Sequence, residues 1–180
     1  MSFCNTASAL LFVALMSGGQ AFADDWKALL DQRLPEYGHR NWIVIADSAY
    51  PKQSAPGIET VYTTAGQLEV LQHVLKKVDA AKHIQPIILL DAELESVPER
   101  SAAGVQRYRA DLKTVLGQRP TKMMPHEDII SKLDEGAKLF NVLVLKTDMT
   151  IPYTSVFIEL DCGYWSPEKE NTLRELIKNK

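Results

Sequence analysis

Two groups of polar residues stand near opposite ends of this chain, each set against an apolar run. Gly38-His39 precedes Trp42-Ile43-Val44-Ile45-Ala46, which stops on Asp47, and Pro152-Tyr153-Thr154-Ser155 opens the run Val156-Phe157-Ile158. Between them in sequence lies Pro125-His126-Glu127-Asp128. An imidazole takes and gives protons near neutral pH, and carboxylates and hydroxyls hold polar ligands by hydrogen bonds. A buried strand that ends in a carboxylate directs it out of the carboxyl edge of a sheet, where α/β proteins place ligands. Each residue also has a plainer reading. Asp47 could cap the turn that follows it, His39 a loop carbonyl; His126 could be a solvated residue of a helix's first turn, and Tyr153 an aromatic packed at a strand edge. Asp91, which ends a second apolar run, Pro86-Ile87-Ile88-Leu89-Leu90, reads as a turn or helix-start group.

An alternation of strands and helices has to position these side chains. Asp25 to Leu34 predicts a short helix with Trp26, Leu29, Leu30 and Leu34 on one side, ended by Pro35. Apolar residues at steps of three and four predict an amphipathic helix over Gln67 to Val78 and another from Val105 to Leu116, with Gly117 placed to end it. Pro125-His126 opens a further helix whose acidic first turn suits the positive end of the helix dipole, and Ser166-Pro167 opens the last. Extended runs fall at 42–46, 58–62, 86–90, 122–124, 140–145 and 153–160. Strands apolar throughout require helices on both faces, so the expected fold is α/β, three layers αβα around a mostly parallel sheet. The last two strands follow each other without a helix, and a pairing of those two would be antiparallel, so the sheet is expected to be mixed.

Composition removes several functions. The chain has 180 residues, 46% of them hydrophobic, enough for the core of one domain. Its formal charge is −3 and no Lys/Arg cluster appears, so a nucleic-acid partner is not expected. No His-Glu-x-x-His, Cys-x-x-Cys, glycine-rich phosphate loop or Gly-x-Ser-x-Gly elbow is present. The expected chemistry uses His, Asp and hydroxyl groups, with no metal and no cofactor.

Residues 1–23 read as a secretory signal peptide: an apolar core from Ala9 to Met16, then Ser17-Gly18-Gly19, the A-x-A pattern Ala21-Phe22-Ala23, and a switch to Asp24-Asp25. No Lys or Arg precedes the core. The run is too short to span a bilayer, so the mature protein is expected in the periplasm or secreted, without a membrane anchor. It would be a single domain, 24–180, with an extra helix at 166–180. Cys4 would leave with the signal, and Cys162 alone forms no intramolecular disulfide.

Taken together, the segments resemble the ribose pyranase and fucose mutarotase (RbsD/FucU) family. Gly38-His39-Arg40-Asn41, the strand, and Ala46-Asp47-Ser48-Ala49-Tyr50-Pro51 resemble its Gly-His, strand, Asp-Ala-x-x-Pro signature. Pro125-His126-Glu127-Asp128 is similar to the helix-opening His-Glu of the ribose branch, and Pro152-Tyr153-Thr154-Ser155-Val156 to its Pro-Tyr-(small)-Asn-Ile segment. The order holds from Leu34 to Leu160. The resemblance implies an RbsD-like subunit in a ring-like homo-oligomer, decamers being among the family's assemblies, with sites at subunit boundaries. It implies His39 as general acid/base and Asp47, His126, Tyr153, Thr154 and Ser155 as residues that bind a monosaccharide, pentose or hexose. The implied activity is interconversion of sugar ring forms by acid/base ring opening. Ser155 stands where the family usually has Asn, and the signal segment and final helix are additions to the pattern. A non-catalytic secreted sugar-binding or sensing protein on the same scaffold is the second reading, and a purely structural oligomer the third. Tyr164-Trp165 reads as a hydrophobic plug at an interface or a sugar-stacking platform.

If the signal is removed as the pattern predicts, intact-mass analysis of protein from the native host will show a chain beginning at Asp24. A chain beginning at Met1 would contradict it.

Overall fold

A computed structural model describes residues 20–179. The expected signal segment lies outside the described residues except for helical backbone at 20–23. Helix α1 spans Gln20–Arg33, followed by β1 (Trp42–Ala46) and β2 (Ile58–Tyr62). Then come α2 (Gln67–Ala80), β3 (Ile84–Asp91), a 3-10 helix (Ala92–Ser96) and α3 (Val105–Leu116). β4 (Thr121–Met124), α4 (His126–Ala137), β5 (Val142–Lys146), β6 (Val156–Cys162) and α5 (Pro167–Lys178) complete the order.

Side-chain alternation along the strands divides the core in two. Ile43 and Ile45 of β1 point with Leu143, Leu145 and Ile158 into a core closed by α1, α2 and α3. Trp42, Val44 and Ala46 point the other way, with Val142, Val144 and Phe157, against Ile129 and Leu133 of α4. Both faces are thus covered and the three-layer αβα expectation holds. Trp26 and Leu30 of α1 and Leu34 just past its end recur every four residues and are buried, as the spacing predicts. α5 buries none of its residues.

The six strands form one sheet in the order β2-β5-β1-β6-β3-β4. It is mixed, but not through the expected pairing. β5 and β6 are not neighbours; β1 lies between them, parallel to β5 and antiparallel to β6. β6 is also antiparallel to β3, and the remaining neighbours are parallel. β6 begins at Val156 rather than 153, because Tyr153 takes a left-handed φ of 60° that no strand accommodates. β3 starts two residues before the expected 86, with Pro86 inside it. There β3 has β6 on one side only, since pairing with β4 begins at Ile88. A residue without an N–H is tolerated on such an edge. The edge of the sheet at Asp47 therefore gathers the carboxyl ends of β1, β3 and β4 with the amino end of β6.

Gly163 closes β6 against the start of β3. A Cβ there would lie 2.6 Å from the Ile84 carbonyl oxygen and 2.8 Å from the Lys82 carbonyl oxygen, both fixed backbone. Gly163→Ala should destabilise the fold by about 1–3 kcal/mol in urea unfolding, the usual cost of overpacking. Gly38→Ala, with nothing within 4 Å of its added carbon, should be close to neutral.

Candidate functional site

Asp47 leaves β1 into a turn that its own side chain holds. Oδ1 accepts from the Ala49 N–H at 2.8 Å and the Tyr50 N–H at 3.1 Å. Oδ2 accepts from the Ser155 hydroxyl at 3.0 Å, and that hydroxyl accepts from the Asp47 N–H at 3.2 Å. Asp47 is thus both the turn cap of the plainer reading and part of a polar cluster shared with β6.

His126 begins α4, and its backbone N–H is taken by both Glu93 carboxylate oxygens, at 3.0 and 3.1 Å. Its ring packs edge-on against Tyr153, with centroids 5.7 Å apart, and against Phe157. Tyr153 owes its direction to the left-handed backbone between Pro152 and Thr154, a conformation that costs a non-glycine residue about 1–2 kcal/mol. Asp47, Tyr50, Gln53, His126, Ile130 and Tyr153 are among the residues lining a cavity of about 330 Å³, in the size range of small-ligand sites. Three of the residues expected to hold a sugar, Asp47, His126 and Tyr153, therefore share one cavity.

The other candidates fall elsewhere. Ser155 is buried and supports Asp47. Thr154 is buried; its hydroxyl donates to the Ile151 carbonyl at 2.8 Å. Its own carbonyl accepts from Gln67 Nε2 at 2.7 Å and the Tyr108 hydroxyl at 2.9 Å. Thr154 thus anchors the turn from within the core and does not face the cavity. His39 lies beyond the amino end of β1 and pairs with Asp161, six residues along the chain from the Ser155 that meets Asp47, so it stands on the order of 20 Å from Asp47. Its Nδ1 lies 2.8 Å from Asp161 Oδ1 and its Nε2 accepts from Arg40 Nε at 3.2 Å. A separate depression of about 460 Å³ there is lined by His39, Asp161, Tyr164 and Trp165, among others.

Asp91, expected as a turn or helix-start group, stands at a helix start but turns its side chain elsewhere. It starts the 3-10 helix without capping it, and its side chain is fully buried. The carboxylate faces His126, whose Nδ1 lies 3.1 Å from Oδ2 without full hydrogen-bond alignment. Burial pushes the Asp91 carboxyl up from its ordinary range, and the His126 ring partly offsets the shift. The sequence signal was available: like β1, the apolar run of β3 ends on an Asp. Burial likewise raises the Tyr50 phenol, which tilts over Phe157 at the cavity wall. Among the described residues, no three His, Cys, Asp or Glu side chains gather as a metal site requires. A larger groove, about 510 Å³, follows α3 and β4. Its arginines are committed, Arg109 to the Leu94, Glu95 and Val97 carbonyls and Arg119 to Asp79, so the smaller cavity is the better candidate.

No protein-family model and no curated protein sequence matches the chain. Solved structures do. Bacillus subtilis RbsD complexed with D-ribose aligns with a TM-score of 0.53 at 18% identity, over 74% of this chain and 92% of that one. FucU from Bifidobacterium longum aligns at 0.49 and 20% identity, over 74% and 92%. The fucose mutarotase of Streptococcus pneumoniae in complex with L-fucose aligns at 0.45 and 20%, over 73% and 90%. The fold is RbsD/FucU-like.

A raised carboxyl pKa in the folded state means that stability is full below the unfolded value, near 3.8, and is lost as pH rises through the folded one. Asp91→Asn, which removes the buried charge and keeps the shape, should raise the thermal midpoint at pH 7. The gain should vanish as pH falls toward 3.8. A midpoint difference independent of pH would contradict the assignment.

Proposed function

We propose that this protein interconverts ring forms of a free monosaccharide at a site completed by two subunits. The cavity that joins Asp47, His126 and Tyr153 at the carboxyl edge of an RbsD-like sheet is the observation that carries the reading. Its donors and acceptors suit sugar hydroxyls, and its aromatic walls suit the apolar face of a sugar ring. Ring opening needs one group to take the anomeric O–H proton and another to protonate the ring oxygen. His39 is the expected proton carrier, and on this reading it serves, from the far edge, the cavity of a neighbouring subunit. The surface around His39 supports such a contact: Tyr164 and Trp165 line the same depression and are exposed, apolar area of the kind that oligomers cover. On this reading the mature protein is an exported homo-oligomer acting on a pentose or hexose in the periplasm or outside the cell.

The second reading, a non-catalytic sugar binder, is favoured by one observation: the cavity of a single subunit lacks His39. Exchange NMR of anomer interconversion over a sugar panel separates the two. The wild-type protein should accelerate exchange above the spontaneous rate, and His39→Ala should remove about 10²–10⁴-fold of that acceleration with the oligomer intact. Equal rates for the two proteins, with sugar binding retained, would favour the binder.

A further inference from the structure

Asp91 buries a carboxylate at the end of β3 with no hydrogen-bond donor satisfying either oxygen. A buried charge without backbone donors is costly, and its one close polar neighbour is the ring of His126. The His126 side chain is 31% exposed, yet its Nδ1 is buried on the Asp91 side, so the open edge of the ring is the Nε2 edge that borders the cavity. We infer that Asp91 is a positioning residue: it holds the proton of neutral His126 on Nδ1, so that Nε2 presents a lone pair to the cavity. His126 is then a proton-transfer group rather than only a sugar ligand.

A carboxylate behind Nδ1 fixes both tautomer and ring orientation and stabilises the imidazolium once it forms. His39 is built the same way, with Asp161 against Nδ1, although in the open. The other charged or titratable groups near His126 are Glu93 from the 3-10 helix, which binds its backbone N–H, and Asp47, Tyr50, Glu127 and Tyr153, which line the cavity. Asp91 alone of these faces Nδ1.

For the substrate class, this inference rests on the mutarotase reading; the ring geometry does not. In the opening step His126 Nε2 takes the O1–H proton, C1–O1 becomes a carbonyl, and the C1–O5 bond breaks with its electron pair on O5. O5 takes a proton from Nε2 of the partner subunit's His39, which is protonated for this step and no longer accepts from Arg40. Reclosure returns both protons, so neither histidine is changed over a cycle.

The test is the ring tautomer of His126 in ¹⁵N-labelled full-length protein at pH 8, read from long-range ¹H–¹⁵N correlations and assigned by comparison with His126→Gln. The expected wild-type ring is protonated on Nδ1. Asp91→Asn should shift the proton toward Nε2 and slow anomer exchange by about 10²–10⁴-fold. A wild-type ring protonated on Nε2 would overturn the inference, and so would an Asp91→Asn protein with unchanged exchange. An Nδ1–H ring in a protein that accelerates no sugar's exchange would support the positioning and remove the mutarotase reading.

Discussion

β6 runs antiparallel between β1 and β3, and its hydrogen bonds to both join two otherwise separate sets of parallel strands. The contacts that Ser155 and Tyr153 make in the candidate site follow from that placement. The reversal brings the amino end of β6 to the edge where β1 and β3 finish. Ser155 therefore meets Asp47, and the turn before it sets Tyr153 against His126. The same reversal carries the carboxyl end of β6 to the opposite edge, where Asp161 meets His39. One strand thus supplies a partner at each end of the molecule.

The two Asp–His pairs differ in what their surroundings ask of them. His39 and Asp161 are solvent-exposed, 55% and 31% at the side chains, and such a pair contributes little to stability. Asp91 is buried without backbone donors and sits in a position that a neutral residue would occupy at lower cost. A fold shaped by stability alone would not keep it. Charge held in an unfavourable place beside a cavity is a feature of sites whose chemistry depends on it.

Much of the architecture was legible because it rests on periodicity. The four-residue spacing of Trp26, Leu30 and Leu34 and the apolar strands expected at 42–46 and 140–145 depend on local pattern, and the structure keeps them, the second as Val142–Lys146. Strand order was not legible, since nothing local says that β1 inserts between β5 and β6. The site was readable where residue type and strand end coincide, as at Asp47, or where a helix start fixes a side chain, as at His126. Thr154 and Ser155 fall outside the cavity lining because alternation near Tyr153 breaks at a left-handed residue, which turns Thr154 inward to Gln67 and Tyr108. Asp91 reads in the sequence only as a turn or helix-start group, because its contact with His126 comes from a helix more than thirty residues later in the chain.

On the proposed function, neither edge of one subunit holds a complete site. Subunit mixing tests it most directly. His39→Ala and Asp47→Ala proteins, each inactive alone, are dissociated, combined and reassembled, with mixed oligomers verified by native mass spectrometry. The account predicts that anomer exchange reappears in the mixture, because some interfaces then pair an intact His39 edge with an intact Asp47 cavity. Verified mixed oligomers that remain as inactive as either parent would contradict it.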